Sequence, residues 1–299
     1  MNGNGLLQRR TSFFATIALC AIVALPLAAQ TTSAPPPELA AAQAAWERHP
    51  TNVDSIIWYG RRIGYTGDFA AAVAIYTEGL RLHPDEPRLL RHRGHRYLSL
   101  RNPAAAIADL ERARALIAGR PDEVEPDGQP NARGIPTSTL HSNIRYHLAL
   151  GHFLQNNFGT AAALWQEDAM LATNLDQRVA ATFWWVISLA RLQEFGAVRA
   201  ALAPVRADWE IIENGSYHTL LLWMKRDVSD AALQEQMKAA IERQTIGNGM
   251  AQWHFAAGRR GAAEAAVRAV LATGPSASFG FLAAEVLAPD LGIPVPAAK

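Results

Sequence analysis

Large apolar side chains return every three or four residues along much of the chain, the spacing that puts them on one face of a helix. Ile56, Tyr59 and Ile63 form one such stripe, and Phe69, Val73, Tyr76 and Leu80 form the next. Polar turns interrupt the stripes at Thr66-Gly67-Asp68 and again at Arg101-Asn102-Pro103. Asn102 is placed to cap the helix that follows it, and Pro103 falls in the first turn, where a missing N–H does no harm. The pattern predicts an all-α chain of helical hairpins.

A longer rhythm overlies the first. Pro50 and Pro84 are 34 residues apart, as are Gly60 and Gly94, Ala72 and Ala106, and Gly79 and Ala113. Antiparallel helices approach closely only where side chains are small, so Gly or Ala at fixed places marks crossing points. One unit is therefore expected at 53–86 and another at 87–120. Ala149, Ala161 and Trp165 fit a third, from Ser142 to about Leu175, with Asp168 where a small residue is expected. Ala251, Ala263, Val267 and Pro275 fit a last unit beginning near Gln244. Residues 38–50 read as the second helix of a truncated leading repeat, and 176–243 as divergent hairpins.

Through Gly60, Ala72, Tyr76, Gly79 and Pro84, and then Gly94, Ala106, Leu110 and Ala113, the chain resembles the tetratricopeptide repeat family. Ala118 stands where that family often has proline. The resemblance implies a right-handed α-solenoid of roughly five to six hairpins, with the first helix of each pair lining a concave groove. Residues 119–141 are read as a Pro/Gly-rich inserted loop that cannot be helical. That loop, with Asn143-Ile144-Arg145-Tyr146-His147 and Trp209-Glu210-Ile211-Ile212-Glu213-Asn214, resembles exported bacterial members of the family to which no activity is assigned. The chain then divides into N-terminal units at 38–118, C-terminal and divergent hairpins at 142–290, and a tail at 291–299.

Residues 1–29 read as an export signal. Arg9 and Arg10 precede an apolar run from Ser12 to Leu25, Pro26 breaks it, and Ala28-Ala29 offers a cleavage site before a flexible leader at 30–37. The run is shorter than the ~20 residues of a membrane span. Periplasmic or secreted location after cleavage is the expectation, with anchoring by an uncleaved N-terminal helix as the alternative. Cleavage changes the composition. It removes two arginines and no acid, so the net charge of +1 becomes −1, and it removes the sole cysteine, Cys20. A thiol-free mature chain suits an oxidising compartment. Its near-neutral charge argues against nucleic acid as a partner.

Motifs of catalysis are sparse. Gly247-Asn248-Gly249 lacks the strand and lysine of a phosphate-binding loop. His92 and His95 have a metal-compatible spacing but lie among Arg88, Arg91, Arg93 and Arg96, which repel a cation, so neither metal nor other cofactor is expected. Trp165, Trp184 and Trp185 sit in apolar runs and are assigned to the core.

The family resemblance turns Asp54, Ile57, Arg61, Gly64 and Tyr65 towards the groove in the first unit. Arg88, Arg91, His95, Leu98 and Ser99 follow in the second, and Asn143, Tyr146, Leu150, Phe153 and Leu154 in the third. The candidate peptide-binding set is Arg61, Tyr65, Arg88, Arg91, His95, Asn143 and Tyr146. Its arginines suit a carboxylate, acidic or C-terminal, through charge-assisted hydrogen bonds. The leading expectation is a non-enzymatic scaffold that binds a peptide or protein segment. The alternative is a hydrolase or glycan-binding protein using Glu213, Asn214 and His218 beside the loop at 119–137.

Overall fold

The computed structural model describes Met1, residues 35–126 and residues 128–295. The expected signal segment beyond Met1, Cys20 and the leader up to Ala34 lie outside the described residues. A leading unit, Met1–Pro35, is distinct from a helical unit that begins at Pro36. The helical unit contains α1 (Pro37–Arg48), α2 (Val53–Tyr65), α3 (Phe69–Leu82), α4 (Pro87–Ser99) and α5 (Pro103–Ile117). After the long loop come α6 (Leu140–Leu154), α7 (Phe158–Leu171), α8 (Leu175–Arg191) and α9 (Phe195–Leu202). The chain then runs through α10 (Gly215–Lys225), α11 (Asp230–Gln234), α12 (Ala240–Ala256), α13 (Arg260–Leu271) and α14 (Phe279–Leu287). Among the described residues there is no β-strand, only an isolated bridge between Val124 and Thr139.

Local chemistry sets the helix starts. Asn52, Asp68, Asn102 and Asn174 each accept a hydrogen bond from the backbone N–H three residues on, satisfying a donor the helix leaves free. The turn inside each hairpin carries one left-handed residue: Gly67, Arg101, Asn156, Gln193 and Gly258. In four of these turns the next N–H reaches back five residues, from Asn102 to Tyr97, Asn157 to His152, Glu194 to Leu189 and Arg259 to His254. Five hairpins are thereby marked: α2/α3, α4/α5, α6/α7, α8/α9 and α12/α13. The fourth lies within the stretch expected to be divergent, and α10 and α11 are where regular pairing lapses.

Packing follows the small residues. A Cβ on Gly60 would lie 2.5 Å from the Tyr76 ring, and one on Gly94 would lie 2.8 Å from Leu110. Each glycine thus lets the second helix of its own pair settle against the first. Asp168, at a position expected to be small, is 2% exposed and is held by Arg145 at 3.0 Å. An Arg–Asp pair stands there in place of a small residue.

The main core lies between α6, α7 and α8. Trp165 and Trp184 stack at 5.4 Å between ring centroids, and Phe153 packs edge-on against both. Leu98, Leu150 and Phe153, expected on the groove wall, are instead fully buried in this core. Trp165 and Trp184 are buried as expected, while Trp185 is half-buried and packs against the core.

α14 packs on α12 and α13 and also reaches α6. Arg101 pairs with Glu285 at 3.1 Å and donates to the Ser276 carbonyl at 2.9 Å, while Arg191 pairs with Asp290 at 2.7 Å. Beyond position 290, Leu291 and Ile293 are buried beside Leu287, so the start of the expected tail is packed structure.

Phe153→Ala is expected to lower stability by about 3–5 kcal/mol, because the aromatic cluster closes only partly over the space. Urea unfolding followed by tryptophan fluorescence measures this.

Candidate functional site

The inserted loop returns across the first helices of the leading hairpins. Its Glu125 backbone N–H donates to the Ser138 carbonyl, and Leu140 N–H donates to the Glu123 carbonyl, holding the segment extended. Asp122 accepts from the His141 N–H at 3.0 Å. Thr139 and Ser142 form a reciprocal capping box, so α6 begins at Leu140, two residues before the third unit was expected to start.

This path carries Glu125 into the arginine-rich helix. Its carboxylate lies 3.1 Å from Arg91 Nε and 3.1 Å from His92 Nε2, and it accepts from Asn143 Nδ2 at 2.8 Å. Glu125, Arg91 and His92 are all buried. A guanidinium only donates, so the 3.0 Å contact from Arg91 Nη1 to His92 Nδ1 makes that nitrogen the acceptor. Neutral His92 then carries its proton on Nε2, facing Glu125. Burial alone would raise the Glu125 carboxyl, but Arg91 and His92 outweigh it and hold the group well below the usual carboxylate range. Burial, reinforced by Arg91, lowers His92 to about 4.

The other predicted groove residues surround this clamp. Arg61 donates to the Pro126 carbonyl at 2.6 Å, approaches the Tyr65 hydroxyl at 3.3 Å and lies over the Trp58 ring. Arg62 donates to the Gly128 carbonyl. A Cβ on Gly128 would sit 2.1 Å from the Tyr65 hydroxyl, so only glycine lets the loop approach so closely. Arg88 turns to Glu86 and Asp54 rather than Glu125. A cavity of about 320 Å³ remains between the loop and helices α2 and α4, with Trp58, Arg61 and Arg88 on its walls.

His95 and Tyr146 lie deeper, under Phe279 of α14, with ring centroids 5.5 and 6.0 Å from it. They wall a cavity of about 340 Å³ that Glu213 and Asn214 also line. Residues from both sequence-derived sets therefore converge. The loop binds the second set directly: Asn131 Nδ2 and Thr137 Oγ1 each donate to Glu213 at 2.6 Å, and Arg133 pairs with Glu210 at 2.5 Å. Buried Asp176 accepts from the N–H groups of Ile212, Glu213 and Asn214, which fixes that segment. His218 does not line this cavity; its Nε2 contacts the Arg206 carbonyl at 2.8 Å and its ring stacks on Trp209. Among the described residues no cluster of metal-ligating side chains is present and no helix is long and apolar enough to cross a membrane.

Sequence reasoning found Arg91 and Asn143 but not their partner. Glu125 is one of many acids in a polar loop, and only its return across α4 gives it a role. His147 and Phe279 were likewise missed, since their neighbours come from distant turns of the array.

The left-handed turn residues Gly67 and Arg101 repeat at the same 34-residue interval as the glycines that seat Tyr76 and Leu110. The chain is a tetratricopeptide-like array. Among solved structures it is similar to YrrB, a tetratricopeptide protein described as having an unusual peptide-binding site. That likeness is 16% identity over 81% of this chain and 96% of that one, with a TM-score of 0.40. It is also similar to a tetratricopeptide repeat protein from Parabacteroides merdae, at 15% identity over 84% and 78% of the two chains and a TM-score of 0.46. No protein-family model and no curated protein matches the chain.

The array buries neutral histidines, which makes it acid-sensitive. Burial, with the Arg91 charge added, lowers His147 to about 3. A folded-state value below the unfolded ~6.5 gives stability that is present above pH ~6.5 and lost as pH falls towards 3. Asp168, raised by burial to about 7 despite Arg145, acts in the opposite sense and loses stability as pH rises towards 7. His147→Gln is expected to remove one proton's share of the acid sensitivity, at most about 1.4 kcal/mol per pH unit between pH 6.5 and 4. Urea midpoints of the two proteins across that range measure the difference.

Proposed function

We propose that this chain is an exported, non-enzymatic scaffold that holds an acidic segment of a partner protein on its concave side. In the free protein the inserted loop lies in that place. The observation that supports this reading is the Glu125 clamp: an extended segment whose carboxylate is held by Arg91, His92 and Asn143, with the next carbonyl held by Arg61. The same groups recognise any extended chain with an acidic residue followed by an accessible carbonyl, because nothing in the contacts depends on the segment being covalently attached. Trp58 and Tyr65 add flat surface at the edge of the clamp. Export follows from the N-terminal signal read in the sequence, and the near-neutral mature charge fits a protein partner better than nucleic acid.

The occupant of the clamp decides the affinity of an incoming segment. A labelled peptide with the sequence Pro-Asp-Glu-Val-Glu-Pro-Asp-Gly, that of residues 121–128, is the probe. The full chain carrying Glu125→Gln is expected to bind it at least about tenfold more tightly than the unmodified protein, since a charge-assisted contact holding the loop is gone. Adding Arg91→Gln to that variant should abolish the gain while leaving no unpaired buried charge. Fluorescence anisotropy reads both. Equal affinity in the unmodified and Glu125→Gln proteins, or undiminished binding in the double variant, overturns the reading.

A further inference from the structure

Positive charge gathers around Tyr65 with no acid to meet it. Arg61 Nε lies 3.3 Å from the Tyr65 hydroxyl, and the Arg62 guanidinium lies 5.6 Å from the centre of the Tyr65 ring. Arg96 arrives from α4 and packs against Gly64, where a Cβ would lie 2.9 Å from its Nη1. Among the described residues none of these guanidiniums has an ion-pair partner, because the nearby acids are engaged elsewhere. Asp54 and Glu86 hold Arg88, Glu125 holds Arg91, and Asp68 caps α3. What the described part of the loop brings to the cluster is neutral: the Pro126 carbonyl to Arg61 and the Gly128 carbonyl to Arg62.

The guanidiniums are held in place and still have donors to give. Arg61 lies 4.7 Å and Arg62 5.4 Å from the centre of the Trp58 ring, and Arg96 lies 5.4 Å from that of Phe69. Stacking on a ring fixes the plane of a guanidinium and leaves its in-plane N–H groups for a ligand. Arg61 spends Nε and Nη1 on Tyr65 and Pro126, which leaves Nη2, and Arg62 spends Nη1 alone. Arg96 is half-buried and spends none on a described residue. Unlike Arg91 Nε, none of these unspent nitrogens is sealed from solvent. Burial, with Arg91 and Arg61 adding to it, lowers the Arg96 guanidinium from its ordinary value, and the opposing influences come from Tyr76 and Tyr65 rather than a carboxylate. Like charges held this close, and partly out of water, are costly until an anion joins them.

We propose that Arg61, Arg62 and Arg96 form a binding site for a tetrahedral, doubly charged oxyanion, a phosphate group. A carboxylate offers two oxygens in one plane and a single charge, which suits a single guanidinium such as Arg91 in the clamp. A phosphate group offers three or more oxygens and a second charge to donors that arrive from different sides. The Pro126 and Gly128 carbonyls aim Arg61 and Arg62. The site therefore needs the loop in place, whereas an acidic segment entering the clamp needs it displaced.

The test is isothermal titration of the full chain with inorganic phosphate, glycerol 3-phosphate and acetate, at constant ionic strength and about pH 8, where a phosphate group is a dianion. At least one of the two phosphates is expected to bind saturably with Kd of about 1 mM or tighter, and acetate at least about tenfold more weakly. The tighter of the two phosphates names the source, a free ion or a phosphomonoester. Arg96→Gln and Arg62→Gln should each weaken it about tenfold, with thermal unfolding confirming that the variants fold. No saturable binding by either phosphate up to about 20 mM overturns the proposal. So does acetate binding as tightly, a comparison that needs no variant, or unchanged affinity in both folded variants. Binding that appears only in Asp127→Asn overturns it too, because the chain's own carboxylate then fills the cluster; Asp127 lies outside the described residues.

Discussion

A single buried carboxylate organises the face of this array that the inserted loop crosses. Glu125 sits among Arg91, His92 and Asn143, three groups from two helices that are not consecutive in the chain. Desolvating that carboxylate is costly, and the cost is met only when all three partners are in place. The loop must therefore take one path. Along that path Arg61 meets Pro126, Gly128 fits beneath Tyr65, and Asn131 and Thr137 arrive at Glu213. An insertion rich in proline and glycine, which has no helix of its own, thereby becomes a strap joining the second and third hairpins to the segment before α10.

Much of the scaffold was legible because its determinants are local. Gly60 faces Tyr76 only sixteen positions along, and Gly94 stands in the same relation to Leu110, so a fixed interval between small residues betrays the pairing. Asn52, Asp68 and Asn102 act within three residues and can be read as caps directly. The site was less legible because its determinants are distant. Arg91 and Asn143 stand out as polar residues at groove positions, yet Glu125 acquires meaning only from tertiary structure. Phe279 lies more than a hundred residues from Tyr146, His147 and His95, which it covers. One such pairing did leave a trace. Asp168, a charge where a small residue belongs, signals a compensating partner, and Arg145 occupies the apolar run of the facing helix.

The two polar centres beside the inserted loop differ in how they treat charge. Around Glu125, burial and opposite charge oppose each other, and the positive charge of Arg91 keeps the carboxylate ionised. A few residues away, burial prevails: His147 and His95 are kept neutral, and Asp168 is pushed towards its protonated form. Arg91 touches both centres, since it holds Glu125 and also lines the inner cavity.

Arg101 occupies the left-handed turn of the second hairpin and grips Glu285 and Ser276 near the opposite end of the sequence. A stack of hairpins open at both ends can gain or lose a member and still bury its neighbours' faces. Here the last helix returns to the early hairpins, so the number of repeats is locked by geometry. Duplicating or deleting any pair between α6 and α12 would carry Glu285 away from Arg101 and Phe279 away from Tyr146. Diversification of such a protein is confined to its loops and pocket walls, because its length is no longer a free variable.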